Sequence, residues 1–122
     1  MKILIIEDEL LILKTLETLA THTGHRVTST PSGREAIEIL RNNEFDLIIC
    51  DLMLNDISGF DILEETKNLF GSDVVANKII IITAYKSDDI INRVKGYGCR
   101  FFEKPFDNVK ETLIQMTAAK SE

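Results

Sequence analysis

The sequence predicts an α/β domain in which a doubly wound parallel sheet of five strands, (βα)5, is covered by helices on both faces. Three observations lead to this class: short β-branched runs alternate with longer amphipathic segments, most runs are apolar almost throughout, and the chain has 122 residues. Strands that are apolar on both sides are typical of a parallel sheet with both faces covered. A chain of this length supplies one core and too few strands for an eight-stranded barrel, so the sheet is expected to be open.

Short runs rich in Ile, Leu, Val, Cys and Phe are the predicted strands. They are Ile3–Ile6, Val27–Ser29, Leu47–Cys50, Ile79–Ile82 and Cys99–Phe102. Because crossovers between parallel strands are right-handed, the segments between the runs should place helices on both faces of the sheet.

The segments between the runs have helical periodicity and residues that can cap a helix. The first helix is predicted from Leu10 to Thr21. The other four are predicted to begin at capping residues, namely Ser32, Ser58, Ser87 and Asp107. The stretch Gly71–Lys78, between the third helix and the fourth strand, is predicted to be a surface loop.

Composition restricts the possible functions. With 14 basic and 20 acidic residues the net charge is −6, so the domain should repel a phosphate backbone and is not expected to bind nucleic acid directly. The apolar runs are far too short to span a membrane, and Glu7–Glu9 interrupts the first one, which argues against a signal peptide. The protein is therefore expected to be cytoplasmic and without a membrane partner, with Cys50 and Cys99 as buried, reduced thiols.

The residues that follow the apolar runs indicate a candidate site. Ligands of an open α/β sheet bind beyond the carboxyl ends of the strands, where the strand order reverses. In the flavodoxin-like order 2-1-3-4-5 this point lies between strands one and three. The crevice would then hold Glu7, Asp8 and Asp51. Thr83 and Lys104, which follow strands four and five, would flank it.

Three carboxylates in one crevice need a counter-charge. They could share protons, pair with Lys104 or bind a cation, and oxygen ligands on a rigid platform suit Mg²⁺ (or Mn²⁺). A metal beside a carboxylate, a lysine and a hydroxyl is typical of a phosphoryl site, where a carboxylate can be the nucleophile. The alternative is that these acids are only helix caps, as Asp8 could be for the first helix, but the joint pattern at several strand ends disfavours it.

Four short motifs occur in an order and spacing that match a known family. They are Ile5–Glu9, Cys50–Met53 running to Ser58-Gly59, Ile82–Ala84 and Phe101–Phe106. Together with the (βα)5 pattern they resemble the receiver domain of two-component response regulators along nearly the whole chain. The resemblance implies the strand order 2-1-3-4-5, a single receiver domain over residues 1–122 with no output domain in this chain, and a signalling phosphoacceptor that is not an enzyme.

The resemblance also implies a phosphoacceptor and a metal site. Asp51 would accept a phosphoryl group from a phosphohistidine donor. Glu7 and Asp8 would be the metal-binding acid pair, with Asp51 and the backbone carbonyl of Met53 as further ligands of Mg²⁺. Glu7 stands where Asp is commoner in the family, and its longer side chain is expected to reach the ion through water.

A second group of residues is implied to form the switch. Lys104 would pair with the phosphoryl group, and its bond to Pro105 would be cis. Thr83, followed by Ala84, would donate to a phosphoryl oxygen and move toward it, and Phe101 would then turn inward. Because Phe101 lacks the hydroxyl of the Tyr frequent there, its inward state would depend on packing. The surface of the fourth helix, fifth strand and fifth helix would change and control a partner.

Met53 and Tyr85 are predicted to set the lifetime of the phosphorylated state. Met53 and Tyr85 each lie two positions after a site residue, Asp51 and Thr83, and should overhang an acyl phosphate. A thioether and a ring there should obstruct water, so self-dephosphorylation is expected to be slow. The alternative for Met53 is ordinary core packing.

An apolar patch at the start of the first helix is a candidate docking surface. Three consecutive apolar residues, Leu10, Leu11 and Ile12, cannot all lie on the single apolar stripe that an amphipathic helix needs. With Pro105 and Phe106 they could receive the phosphodonor, a sensor histidine kinase or a histidine phosphotransfer protein. The alternative is that two of the three face the core. A downstream protein or a missing output domain would read the phosphorylated state, and a phosphorylation-dependent homodimer could form.

Three other functions are compatible with the fold class. A Mg²⁺-dependent phosphatase with a nucleophilic Asp would need a second acid at position 53, which is Met53. A flavin-binding protein would need a hydroxyl- and glycine-rich loop after the first strand, where Glu7–Glu9 would repel the phosphate. An interaction module independent of phosphorylation would not need the complete set of site residues.

Overall fold

A parallel sheet lies at the centre of the structure, a computed structural model that describes residues 1–85 and 87–118. Its strands are β1 (Lys2–Ile6), β2 (Arg26–Thr30), β3 (Leu47–Asp51), β4 (Ile79–Thr83) and β5 (Arg100–Glu103). The strand order is β2-β1-β3-β4-β5, and every neighbouring pair is parallel. The predicted fold class and strand order are confirmed.

Helices cover both faces of the sheet. Within the described residues they are α1 (Leu10–His22), α2 (Gly33–Asn42), α3 (Gly59–Phe70), α4 (Ser72–Lys78), α5 (Asp88–Gly96) and α6 (Val109–Thr117). One face packs against α1 and α6, and the other packs against α2, α3, α4 and α5. Over residues 1–85 and 87–118, no helix combines the length and the apolar character needed to cross a membrane.

The strands are buried on both sides, as their composition predicts. In β1, Ile3 and Ile5 belong to the core under α1 and α6, whereas Leu4 and Ile6 belong to the core on the opposite face, and all four are fully buried. This follows from the alternation of side chains along a strand. Cys50 and Cys99 are buried and do not form a disulfide, as expected.

The segment Gly71–Lys78, predicted to be a loop, is largely a helix, so that prediction is wrong. Gly71 has a φ of 97° and separates α3 from α4. Its N–H donates to the carbonyl of Lys67 at 2.8 Å, and the chain then starts a new helical turn at once. Val75 of α4 is 1% exposed and packs in the core. Burial of this side chain outweighs the weak local helix propensity of a Gly-Ser-Asp start.

Helix capping agrees with the sequence at three of the predicted positions. In each case the serine Oγ accepts a backbone N–H of the first turn, at 3.1–3.2 Å, and the residues are Ser32, Ser58 and Ser87. The last helix differs, because Oδ1 of Asn108 accepts from the N–H of Glu111 at 3.0 Å. Since α6 begins at Val109, its cap is the residue immediately before it, Asn108, and not Asp107.

Candidate functional site

Three carboxylates meet at the carboxyl ends of β1 and β3. Ile6 of β1 is paired with Cys50 of β3, so the next residues of the two strands, Glu7 and Asp51, lie side by side. One oxygen from each of Glu7, Asp8 and Asp51 lies within 4.8 Å of the others. Glu7 is fully buried and Asp51 is 3% exposed, so both carboxylates are largely removed from solvent.

The ammonium group of Lys104 bridges two of these acids. Its Nζ donates to Oε1 of Glu7 at 2.7 Å and to Oδ2 of Asp51 at 3.1 Å. The backbone N–H of Lys104 donates to the carbonyl of Thr83 at 2.8 Å, which fixes the end of β5 against β4. The bond from Lys104 to Pro105 is cis. The lysine predicted from the end of strand five therefore reaches the site between strands one and three.

Burial controls the protonation of this cluster. Loss of hydration raises the pKa of Glu7 to about 7, and its hydrogen bond with Asp51 acts in the same direction, against the opposing effect of Lys104. Burial lowers the pKa of Lys104, but its contacts with Glu7 and Asp51 outweigh that effect, and its pKa is raised. The lysine therefore stays charged, and Glu7 is protonated in a substantial fraction of molecules near neutral pH.

Asp8 provides the observation that most directly favours a bound cation. Within residues 1–85 and 87–118, its Oδ2 is the buried side-chain oxygen or nitrogen atom that lacks a hydrogen-bond partner. Asp8 does not cap α1, because that position is Glu9 and its side chain makes no capping bond. A buried carboxylate oxygen without a donor is unfavourable unless a cation satisfies it. The all-oxygen set of Glu7, Asp8 and Asp51 therefore fits a hard divalent ion such as Mg²⁺.

The chain after β3 folds back on itself and holds the Asp51 carboxylate. The N–H of Met53 donates to Oδ1 of Asp51 at 3.2 Å, and Met53 forms an isolated antiparallel bridge with Ser58. The N–H of Gly59 donates to the carbonyl of Leu52 at 2.8 Å. A Cβ on Gly59 would lie 2.7 Å from Cα of Leu52, so this close return of the chain requires glycine.

The residues implied to form the switch lie on neighbouring strands. Thr83 is fully buried at the end of β4, and its Oγ1 accepts from the N–H of Tyr85 at 3.0 Å. Phe101 is paired with Ile81 and packs partly buried against the core under α2–α5. Because Ile81 and Thr83 are two residues apart, Phe101 and Thr83 point to the same face of the sheet. Ala84 follows Thr83 at the surface.

The two residues predicted to overhang an acyl phosphate, Met53 and Tyr85, are both exposed at the surface. Met53 is 50% exposed and Tyr85 is 57% exposed. Met53 is therefore not a core residue, and the alternative that it serves ordinary core packing is wrong.

The apolar patch at the start of α1 is also largely exposed. Leu10 is 61% exposed and Leu11 is 82% exposed, whereas Ile12 packs against the core. The alternative that two of the three face the core is therefore wrong. Pro105 is exposed, and Phe106 is half-buried against the core under α1 and α6.

One well-connected acid was missed by sequence reasoning. Oδ1 of Asp56 accepts from the N–H of Gly33 at 3.0 Å, and Oδ2 accepts from Oγ of Ser32 at 2.8 Å and from the N–H of Arg34 at 3.0 Å. These bonds, led by the one from Arg34, hold the pKa of Asp56 well below its usual range. No local pattern could reveal the contact, because 22 to 24 residues separate its partners along the chain.

Comparison with known sequences points to a family. Residues 3–117 match the family model described as the response regulator receiver domain. The chain is 32% identical over 119 residues to the transcriptional regulatory protein ZraR of Escherichia coli strain K12, an alignment that covers 95% of this chain and 26% of ZraR. The chain thus spans about a quarter of the length of that relative.

Solved structures show the same architecture. The non-phosphorylated HemR receiver domain from Leptospira biflexa superposes with a TM-score of 0.84 at 28% identity, over 99% of this chain and 98% of that one. A CheY-like receiver domain protein from Methanospirillum hungatei JF-1 superposes with a TM-score of 0.82 at 25% identity, over 93% of this chain and 88% of that one. The similarity therefore extends over nearly the whole fold.

Proposed function

Because the chain belongs to the response regulator receiver domain family, we propose that it is a signalling switch set by phosphorylation of Asp51. The observation that supports this most strongly is the convergence of Glu7, Asp8, Asp51 and Lys104 at the carboxyl end of the sheet. Such a protein is a phosphoacceptor and not an enzyme acting on other substrates. We expect it to work in the cytoplasm, without contacting nucleic acid or membrane directly.

The chemical step is transfer of a phosphoryl group to the Asp51 carboxylate. A carboxylate oxygen of Asp51 attacks the phosphorus of a phosphohistidine, forming an O–P bond as the P–N bond breaks. The bonding pair stays with the imidazole nitrogen, which takes up one proton from solvent and leaves as neutral histidine. Lys104 already donates to Asp51, so its ammonium group is placed to neutralise charge on the phosphoryl oxygens.

The acids around Asp51 would hold a divalent cation. Glu7, Asp8, Asp51 and the carbonyl of Met53 are the expected ligands, and Mg²⁺ (or Mn²⁺) would supply positive charge to the transferring group. Both oxygens of Glu7 already accept hydrogen bonds, from Lys104 at 2.7 Å and from the N–H of Glu9 at 3.2 Å. Glu7 is expected to reach the ion through water, and Asp8, with an unpartnered oxygen, is expected to bind the ion directly.

Phosphorylation would change the conformation through Thr83 and Phe101. The hydroxyl of Thr83 would donate to a phosphoryl oxygen, which gives a contact present only in the phosphorylated state. The space opened beside it would admit Phe101, which lies on the same sheet face and is already partly buried. The affected surface consists of β5 with α5 and α6, the fourth and fifth helices of the sequence prediction.

Residues around the site would determine lifetime and donor choice. Met53 and Tyr85 are half-exposed and would shield the acyl phosphate from water. Leu10, Leu11, Pro105 and Phe106 would contact a sensor histidine kinase or a histidine phosphotransfer protein. The output would be a downstream protein, a phosphorylation-dependent homodimer, or an output domain, since the alignment covers only 26% of ZraR.

Incubation with Mg²⁺ and acetyl phosphate, followed by intact mass, tests this function. One added phosphoryl group is expected for the wild type, and none is expected for Asp51→Ala or in the presence of EDTA. An Asp-nucleophile phosphatase would instead release phosphate continuously from the acyl phosphate without accumulating the adduct. Met53 stands where that class needs its general acid, which favours accumulation.

A further inference from the structure

We propose that Asp56 is a positioning residue for the phosphoacceptor loop, defined as residues 52–58 between β3 and α3. Its carboxylate ties this loop to the first turn of α2, an element that carries none of the site residues. The inference rests on the proposed function, since it assigns a residue that prepares the same site for the metal and the phosphoryl group.

Both carboxylate oxygens of Asp56 accept hydrogen bonds that join the loop to α2. Asp56 accepts from Gly33 and Arg34, the first two residues of α2, and from the hydroxyl of Ser32. The N–H groups of a first helical turn have no partners within the helix and carry partial positive charge, so a carboxylate satisfies them well. Oδ1 also accepts from the N–H of Ile57 at 3.0 Å, which fixes the side chain to its own loop.

An apolar contact beside Asp56 holds the same two elements together. A Cβ on Gly33 would lie 2.5 Å from Cγ1 of Ile57 and 3.0 Å from Cδ1 of Leu54. The loop therefore packs directly on the α2 backbone, where a Cβ at position 33 would displace the side chain of Ile57. This contact is independent of the hydrogen bonds of Asp56 and leads to the same conclusion, that the loop is docked on α2.

The docked segment lies inside a closed stretch of chain that ends at the site. The bridge between Met53 and Ser58 closes the loop, and Asp56 lies between these two residues. The N–H of Met53 donates to Oδ1 of Asp51 at 3.2 Å. A fixed position for Asp56 therefore restricts the backbone of Met53, and with it the orientation of the Asp51 carboxylate and of the carbonyl expected to bind the metal.

The first test compares Asp56→Ala with Asp46→Ala. Asp46 is a matched control, because it is an exposed aspartate whose Oδ2 accepts a backbone N–H, from Lys2 at 2.7 Å, at the opposite end of the sheet. In Mg²⁺-free buffer, amide hydrogen exchange across residues 52–58 is expected to accelerate in Asp56→Ala only. By calorimetry, its Mg²⁺ affinity is expected to fall about tenfold, as for other residues that support metal ligands.

A kinetic readout separates positioning from a general loss of structure. Asp56→Ala is expected to need more Mg²⁺ for half-maximal phosphorylation by acetyl phosphate, with much of the rate restored at saturating Mg²⁺. Asp56→Asn keeps one carbonyl oxygen and should give intermediate values. Gly33→Ala pushes on the loop sterically and should shift exchange and Mg²⁺ affinity in the same direction.

The outcomes separate this inference from the proposed function. Unchanged exchange and unchanged Mg²⁺ affinity in Asp56→Ala, or equal changes in Asp46→Ala, would overturn the positioning role. If Asp56→Ala does not fold, Asp56→Asn and Gly33→Ala decide by the same measurements. Failure of the wild type to be phosphorylated would refute the proposed function, while exchange and Mg²⁺ binding would still decide the role of Asp56.

Discussion

Lys104 Nζ lies 2.7 Å from Oε1 of Glu7, although the two residues are 97 positions apart in the chain. The Lys104 side chain is 9% exposed and that of Glu7 is fully buried, so this ion pair is shielded from solvent at the carboxyl end of the sheet. The pair joins the ends of β5 and β1, on either side of the phosphoacceptor candidate. It therefore connects the stability of the domain with the chemistry of its site.

Replacing Lys104 with methionine should destabilise the domain more at high pH than at low pH. Loss of one partner from a buried ion pair typically costs about 3 kcal/mol or more, and here it leaves Glu7 and Asp51 without their cation. At lower pH, Glu7 can take up a proton and reduce that cost. Urea unfolding at about pH 6 and about pH 8 measures the difference. Lys67→Met, at an exposed position of α3, is the control. If Lys104→Met loses the same free energy of unfolding at both pH values, the prediction is wrong.

The metal-free domain should lose stability as the pH rises toward neutral. The pKa of Glu7 is raised from 4.5 to about 7, so between these values the folded state binds more protons than the unfolded chain. The contribution of Glu7 is therefore fully present below pH 4.5 and is lost as the pH rises through about 7. The free energy of unfolding of the wild type and of Glu7→Gln, measured in EDTA across this pH range, isolates the effect. If the free energy changes with pH equally in both proteins, the prediction is wrong.

Mg²⁺ should reverse that trend. The ion requires ionised carboxylates, so the stabilisation gained from saturating Mg²⁺ should increase with pH as Glu7 loses its proton. Thermal unfolding with Mg²⁺ and with EDTA, at several pH values, measures this gain. A gain that is independent of pH, or that persists in Asp8→Ala, would show that the ion binds elsewhere.

Replacing Met53 and Tyr85 should shorten the lifetime of the phosphorylated state. Met53→Asn and Tyr85→Glu replace half-exposed apolar groups with smaller or polar ones that admit and orient water. Loss of the phosphoryl group in the presence of Mg²⁺, followed by intact mass, should accelerate in each variant. Leu69→Asn, which changes an apolar residue of α3 that is 38% exposed, should leave the lifetime unchanged. Lifetimes equal to that of the wild type would reject the shielding role.

A charge introduced into the apolar patch of α1 should slow phosphoryl transfer from a protein donor and leave phosphorylation by a small molecule unchanged. Leu11 is 82% exposed and lies outside the carboxylate cluster, so Leu11→Glu should slow transfer from a phosphorylated histidine donor. Phosphorylation by acetyl phosphate, which needs no protein interface, should keep its wild-type rate. Transfer from the donor at the wild-type rate would exclude Leu11 from the docking surface.

The fold was predictable because its main determinant is local. Each residue of Ile79–Ile82 is at most 1% exposed. A run of four isoleucines is typical of a strand in the middle of a parallel sheet, where both faces are covered. The candidate site was predictable for a related reason. The carboxyl ends of parallel strands share one edge, so Glu7 and Asp51 had to meet if β1 and β3 are neighbours.

The features that were missed depend on contacts distant in sequence. Val75 makes α4 a helix by entering the core, which its Gly-Ser-Asp context does not indicate. The tie between Asp56 and Ser32 joins two loops whose approach is set by the packing of α2 and α3. The unpartnered oxygen of Asp8 also becomes evident only when its surroundings are known.

Reduction of the phosphorylated protein with borohydride, followed by peptide sequencing, tests the central claim most directly. Borohydride converts an aspartyl phosphate to homoserine, so the modified position records where the phosphoryl group was bound. After incubation with acetyl phosphate and Mg²⁺, homoserine is expected at position 51 and at no other acid, and it should disappear in EDTA and in Lys104→Ala. Homoserine at Asp8 or another aspartate, 2-amino-5-hydroxypentanoic acid at Glu7, or no homoserine at position 51 would contradict the assignment of Asp51 as the phosphoacceptor.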